Sequence, residues 1–219
     1  MAAAPKTRER IIQASLELFN SQGERSVTTN HIAEFLAISP GNLYYHFGNK
    51  QAIIAEIFSR YESDVEGFLR LPEGREPSIA DKNFYLESLL EAMWRYRFLH
   101  RDLEHLLDSD PLLSERYQAF SQRCVRSAQA IYQGFSDVGI LLMTTLQIEA
   151  LTLNGWIILT SWVRFLCTAH RTSGDLSEQM LRRGIYQVLA LEVGFIAPSA
   201  RAEVETLHQT YYVPLDELI

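Results

Sequence analysis

A chain of 219 residues with 47% hydrophobic and 21% charged side chains is no disordered tail, and it can bury one large core or two small ones. The formal net charge of −7 excludes a general basic coat. That charge is unevenly spread: residues 1–60 carry six basic and five acidic side chains, whereas the rest carries 14 and 22. Segment 1–6 has no apolar run, so no signal peptide is expected and the cytoplasm is the expected compartment. Cys124 and Cys167 lack metal-ligand spacing and read as core thiols; neither a metal nor a cofactor is expected.

Helical periodicity runs through the chain without alternating strands or internal repeats, so the expected fold class is all-α. A first helix spans 8–22, carries Ile11, Ala14, Leu18 and Phe19, and stops at Gly23. Two short helices follow at 28–36 and 40–47, joined only by Ala37-Ile38-Ser39. A fourth, 50–71, has Ile53, Ile54, Ile57, Phe58 and Tyr61 on one face and reads as a connector. Pro72-Glu73-Gly74-Arg75-Glu76-Pro77 is the clearest linker. Beyond it, helices are expected over 79–107 with a break or bend near His100, then over 112–135, 144–170, 176–196 and 202–211. Asp108-Ser109-Asp110-Pro111 is the stop and restart between the first two. The apolar region 141–167 is interrupted by Gln147, Glu149, Asn154 and Arg164, which fits a buried or interfacial helix better than a membrane span.

Ser39 before Pro40 is an N-cap followed by proline at the first helical position, and Thr28 caps the preceding helix. At about 100° per residue, Leu43 and Phe47 share an inner side with Pro40, while Gly41, Asn42 and Tyr45 face away and Tyr44 and His46 flank them. An amide, ring donors and a glycine that lets the backbone approach closely can meet a DNA groove. Asn42 is suited to an adenine edge, the rings to thymine methyls or phosphate oxygens. The tight pairing of the two helices predicts a helix-turn-helix unit. Asn49-Lys50 then opens a helix whose first turn suits a phosphate, with Lys50 as the cation. The near-neutral head predicts affinity that rests on a few placed contacts and on two heads binding together.

Residues 28–50, with the helix before Gly23, resemble the tetracycline-repressor (TetR) family of bacterial transcription regulators. The resemblance is carried by Thr29, Ile32-Ala33, Ser39, Gly41, Leu43-Tyr44, His46-Phe47 and Lys50. It implies a three-helix DNA-binding head over residues 1–50, a connector over about 50–71, and a helical effector-binding and dimerisation domain over 72–219. It also implies that Thr28, Thr29, Asn30, Ser39, Pro40, Gly41, Asn42, Tyr44, Tyr45 and His46 lie at or near DNA and that Lys50 clamps a phosphate. One departure is visible, because Ala37 stands where the family usually has glycine. If that position is left-handed, alanine there costs about 1 kcal/mol.

Such a head reads only a few base pairs, so a homodimer on a palindromic double-stranded operator is expected. Leu153, Trp156, Ile157, Thr160, Val163 and Arg164 form one late stripe at helical spacing; Ile185, Val188, Leu189, Glu192, Val193 and Ile196 form another. These are the candidate dimer interface, with packing inside the monomer as the alternative. Tyr85, Leu89, Met93, Trp94, Arg97, Phe98, Phe120, Tyr132 and Trp162 are the candidate lining of an effector pocket, with Arg95, His100, Arg101 or Arg164 near its rim. That content suits an apolar or acyl-type effector with an anionic head, released DNA being the expected response. Glu104, His105, Asp108 and Asp110 raise the enzyme alternative, but no Gly-rich phosphate loop or nucleophile elbow accompanies them, so no catalysis is expected. A helical ligand carrier without operator binding is the other alternative.

Overall fold

The computed structural model describes residues 6–169 and 176–217, and among them every regular element is helical apart from one bridge between Leu141 and Ile196. The order is α1 (Thr7–Gln22), α2 (Thr29–Phe35), α3 (Pro40–His46), α4 (Lys50–Phe68), α5 (Ile79–Arg95), α6 (Arg97–Ser109), α7 (Pro111–Asp137), α8 (Thr145–Ala169), α9 (Glu178–Glu192) and α10 (Arg201–Tyr211). A single 3₁₀ turn, Glu24–Ser26, joins α1 to α2. The all-α fold with a small N-terminal helix-turn-helix head and a larger helical body is as expected from the sequence.

Local chemistry sets the head. The Thr28 hydroxyl accepts from the His31 N–H while the His31 ring accepts from the Thr28 N–H, a reciprocal cap that starts α2. Ser39 accepts from the Asn42 N–H, and Pro40 occupies the first turn of α3. Asn49 caps α4 through the Ala52 N–H at 2.8 Å. Between α2 and α3, Ala37 sits at φ +53°, the left-handed conformation that the glycine-like position demands. Ile11, Phe19, Ile32, Leu43, Ile53 and Ile57 are fully buried beneath these helices. The same core runs on through Tyr61, Phe98 and Phe120, so α4 carries continuous packing from head to body.

The long helix expected over 79–107 is interrupted at Tyr96, four residues before His100, where φ is −110° and ψ 27°. The cause is a residue far away in sequence. Asn20 of α1 donates to the Arg95 carbonyl at 2.8 Å and accepts from the Phe98 N–H at 3.0 Å, satisfying both groups that the break frees. The Tyr96 hydroxyl leaves the core to donate to Asp64 at 2.6 Å.

Other ends shift modestly. α4 stops at Phe68 rather than at residue 71, and α9 gives way after Glu192 to a 3₁₀ turn, Val193–Phe195, before Ile196 bridges to Leu141. The expected end of α8 at His170 lies outside the described residues. Among the described helices α8 is the one long and apolar enough to cross a membrane by length and composition. It packs on α6, α7 and α9, which makes it a wall of the body.

Candidate DNA-reading face and ligand cavity

The outward surface of the head is built on α3. Leu43 and Phe47 are buried, and the Arg8 guanidinium lies 4.8 Å over the Phe47 ring, so the inner face of α3 is clamped. Pro40, Gly41, Asn42, Tyr44 and Tyr45 are exposed, as are Thr28, Asn30 and Ser39. Tyr45 is 85% exposed, an unusual position for a ring that has no work to do at a surface. The Tyr44 hydroxyl pairs with Thr29 at 3.0 Å, which fixes its ring against α2, and His46 is half-buried with its ring edge-on to Tyr45 at 5.1 Å. Arg60 holds Glu9 by two bonds of 2.7 Å, and Arg8 holds Glu56, so α1 and α4 are strapped together. The Arg60 guanidinium keeps the Glu9 carboxyl down at about 2.

Lys50 is engaged within the head. Its ammonium donates to the Glu24 and Val27 carbonyls, both at 3.0 Å, and pairs with the Glu24 carboxylate at 2.6 Å. An ammonium has three protons, and all three are committed here, so Lys50 locks the turn before α2 in this structure.

In the body, α4 to α9 line a partly open cavity of about 140 Å³. Tyr85, Leu89, Met93 and Tyr132 line it as expected, with Val65, Phe68, Leu86, Ile131 and Phe135. Five candidates do not reach it. Phe98 is fully buried against Phe19 at 5.1 Å, and Phe120 is fully buried against Phe58 and Tyr61. Trp94 and Arg97 stack on each other at 4.2 Å away from the cavity. Trp162 lies over Gly184, where an added Cβ would come within 2.5 Å of the indole, and its N–H donates to the Met180 carbonyl. Helical spacing alone could not separate these rings, because each faces inward but toward a different neighbour.

The expected dimer stripe also divides. Leu153, Ile157, Arg164 and Val193 are exposed, as are Leu146 and Phe165 on α8. Trp156, Thr160, Val188 and Glu192 instead line the cavity, while Ile185, Leu189 and Ile196 are buried in the core. The outward face of α8 is therefore rotated from the expected one: Leu146, Leu153, Ile157 and Phe165 form it.

Two polar stations break the apolar lining. At one, Lys82 and Glu192, both almost fully buried, form an ion pair, and the Tyr132 hydroxyl donates to the other Glu192 oxygen at 2.9 Å. The Lys82 ammonium also lies 5.4 Å from the Phe135 ring. Burial and the adjacent carboxylate push the Tyr132 phenol well above its ordinary value, so it stays a donor. At the other, His100 sits 3.3 Å from the Tyr61 hydroxyl, and burial pulls its ring down to about 4 against a bond to the Thr160 backbone that pulls the other way. His100 is thus neutral at physiological pH.

Lys82 and Thr152 were not legible as lining residues. Glu192 was visible as a carboxylate inside an apolar stripe, which signals a buried partner, but its partner lies 110 positions away. The arginines expected at the rim are engaged elsewhere: Arg95 with Asp64, Arg101 with the Phe19 and Asn20 carbonyls, and Arg164 with Glu104.

A capped three-helix head presenting an aromatic recognition helix, joined by one connector to a hollow helical body, defines the class of helix-turn-helix regulators. Residues 11–57 match the family model for bacterial regulatory proteins of the tetR family, and residues 60–204 match that of the TetR bacterial transcriptional repressor, so the chain belongs to the TetR family of bacterial transcriptional regulators. It is similar to a TetR-family transcriptional regulator from Marinobacter aquaeolei VT8, with 48% identity and a TM-score of 0.87 over 95% of this chain and 100% of that one. The HTH-type transcriptional regulator UidR of Escherichia coli K12 is 38% identical over 72 residues, 29% of this chain. The match spans only 37% of the length of UidR. The ketosteroid transcriptional regulator KstR2 of Mycobacterium tuberculosis shares the fold, with a TM-score of 0.57 and 16% identity over 89% of this chain and 97% of that one. These families and relatives are regulators, not enzymes.

Proposed function

We propose that the protein is a cytoplasmic repressor that binds a palindromic operator as a homodimer and leaves it when a small effector fills the body cavity. The observation that carries the DNA reading is the exposed face of α3, with Asn42 and the 85% exposed Tyr45 held outward by the buried Leu43 and Phe47. The apolar outer face of α8 supports pairing of two copies, since Leu146, Leu153, Ile157 and Phe165 would otherwise stay in water.

Coupling has a physical route. His100 lines the cavity, and the next two residues of α6 grip the head: Arg101 donates to the Phe19 and Asn20 carbonyls at the end of α1, and Asp102 accepts from the Glu24 N–H at 3.1 Å. Tyr61, Val65 and Phe68 of α4 line the same cavity. An effector that displaces α4 or α6 would change the spacing of the two heads. It acts only through its differential affinity for the two arrangements, typically about 1–3 kcal/mol.

Selection of bound sequences from random DNA tests the reading, and a palindrome with half-sites about one helical turn apart is the expected product. Replacing Asn42 or Tyr45 by alanine should weaken that binding by about 1–3 kcal/mol without lowering the unfolding temperature. No enriched sequence, or full binding by both variants, counts against it.

A further inference from the structure

One residue of the cavity wall, Thr152, carries a buried hydroxyl with no partner among the described residues. Several hydroxyls within these helices turn back onto the preceding turn: Ser15 donates to the Ile11 carbonyl at 2.7 Å, Ser121 to Tyr117 at 2.8 Å and Thr160 to Trp156 at 2.7 Å. Thr152 departs from this pattern. It is 4% exposed and lines the cavity, and among the described residues nothing pairs with its Oγ1. Packing alone would be served by valine, which has the same shape and no hydroxyl to desolvate.

Its surroundings restrict what can meet it. Trp162 of α8 lies on Gly184 of α9, and Gly155 meets Val188, so the helices run antiparallel and Thr152 comes level with Glu192. The charges there are already balanced, with Lys82 and Tyr132 both on Glu192. Among the described residues the cationic side chain of the lining is Lys82, and it is already paired with Glu192, so an entering anion meets no open cation there. The carboxylate among the described lining residues is Glu192, both of whose oxygens are engaged, so an entering cation meets no open partner either, and a lone charge in this lining is costly. Size sets a second limit. A dry cavity of about 150 Å³ accommodates benzene, and this one measures about 140 Å³.

We propose that the part of the effector enclosed by the cavity is an uncharged hydrocarbon of about six to eight carbons, ring or short chain, whose hydroxyl or carbonyl oxygen hydrogen-bonds Thr152. This rests on the effector reading above and replaces the anionic head expected from sequence with a neutral oxygen.

The test is calorimetric titration of the full-length protein without DNA, using p-cresol, 1-hexanol, toluene and hexanoate. At least one alcohol should bind saturably, about tenfold tighter than hexanoate, and p-cresol tighter than toluene if the ring is the occupant. T152V should weaken the alcohol about five- to tenfold with toluene unchanged, and T152S should restore it. Equal or tighter binding of hexanoate, a T152V protein with wild-type alcohol affinity, or no saturable binding by either alcohol overturns the proposal. Since DNA is absent, such a failure leaves operator recognition standing, and a failed operator selection leaves the cavity result standing.

Discussion

Ala37 carries a left-handed backbone at φ +53° with a Cβ that crowds the following carbonyl. Replacing it by glycine should stabilise the protein by about 1 kcal/mol, net of the extra freedom glycine gains when unfolded, and raise the unfolding temperature by about 2–4 °C. A melting curve checks this, and a lower midpoint would show that the strain is relieved elsewhere. His100 supplies a pH signature. Its ring is held to about 4 in the fold, against about 6.5 when unfolded. Both states leave it neutral well above pH 6.5; as pH falls through 6.5 toward 4 only the unfolded state takes the proton, so stability is lost across that window. Between pH 7 and pH 5 the loss attributable to His100 should be about 2 kcal/mol. Urea unfolding of wild type and H100Q at both pH values isolates it, and an identical pH dependence of the two would refute the assignment.

At the scale of elements, the break between α5 and α6 shows how a helix end is decided from outside. The apolar periodicity of 79–107 is continuous, and nothing near Tyr96 resembles a stop signal; Asn20, held on α1, supplies the two hydrogen bonds that make the interruption tolerable. Asn20→Ala would leave the Arg95 carbonyl and the Phe98 N–H without those partners, and should destabilise the protein by about 2–4 kcal/mol. Denaturant titration measures it, and a loss below about 0.5 kcal/mol would mean that the break heals into a continuous helix. The α2 and α3 starts are the opposite case. Thr28, Ser39 and Pro40 cap from within a few residues, and these were readable directly.

At the scale of the molecule, the unequal charge has a place. The acidic surplus belongs to the body, whereas the head is close to neutral, so under the proposed function its DNA affinity would depend on pairing two heads. Ile157→Glu places a charge on the exposed face of α8 without touching the core. Sedimentation should find this variant monomeric and normally folded, with the palindrome bound far more weakly. A stable dimer would move the interface to another face.

The caps of α2 and α3 and the inward Leu43 and Phe47 were determined by the sequence, because each depends on neighbours within about one helical turn. Burial by itself was also legible for Phe98, Phe120, Ile185 and Leu189. Which neighbour each buried residue meets was decided only by the tertiary structure. Phe98 turns to the head, Trp162 covers Gly184, Glu192 meets Lys82 across 110 positions, and Lys50 closes on Glu24 and Val27. A period of 3.6 residues marks an inward face, but rotation of one helix against the next chooses between core, cavity and interface. That rotation is set by the packing of many side chains at once, and no local signal carries it.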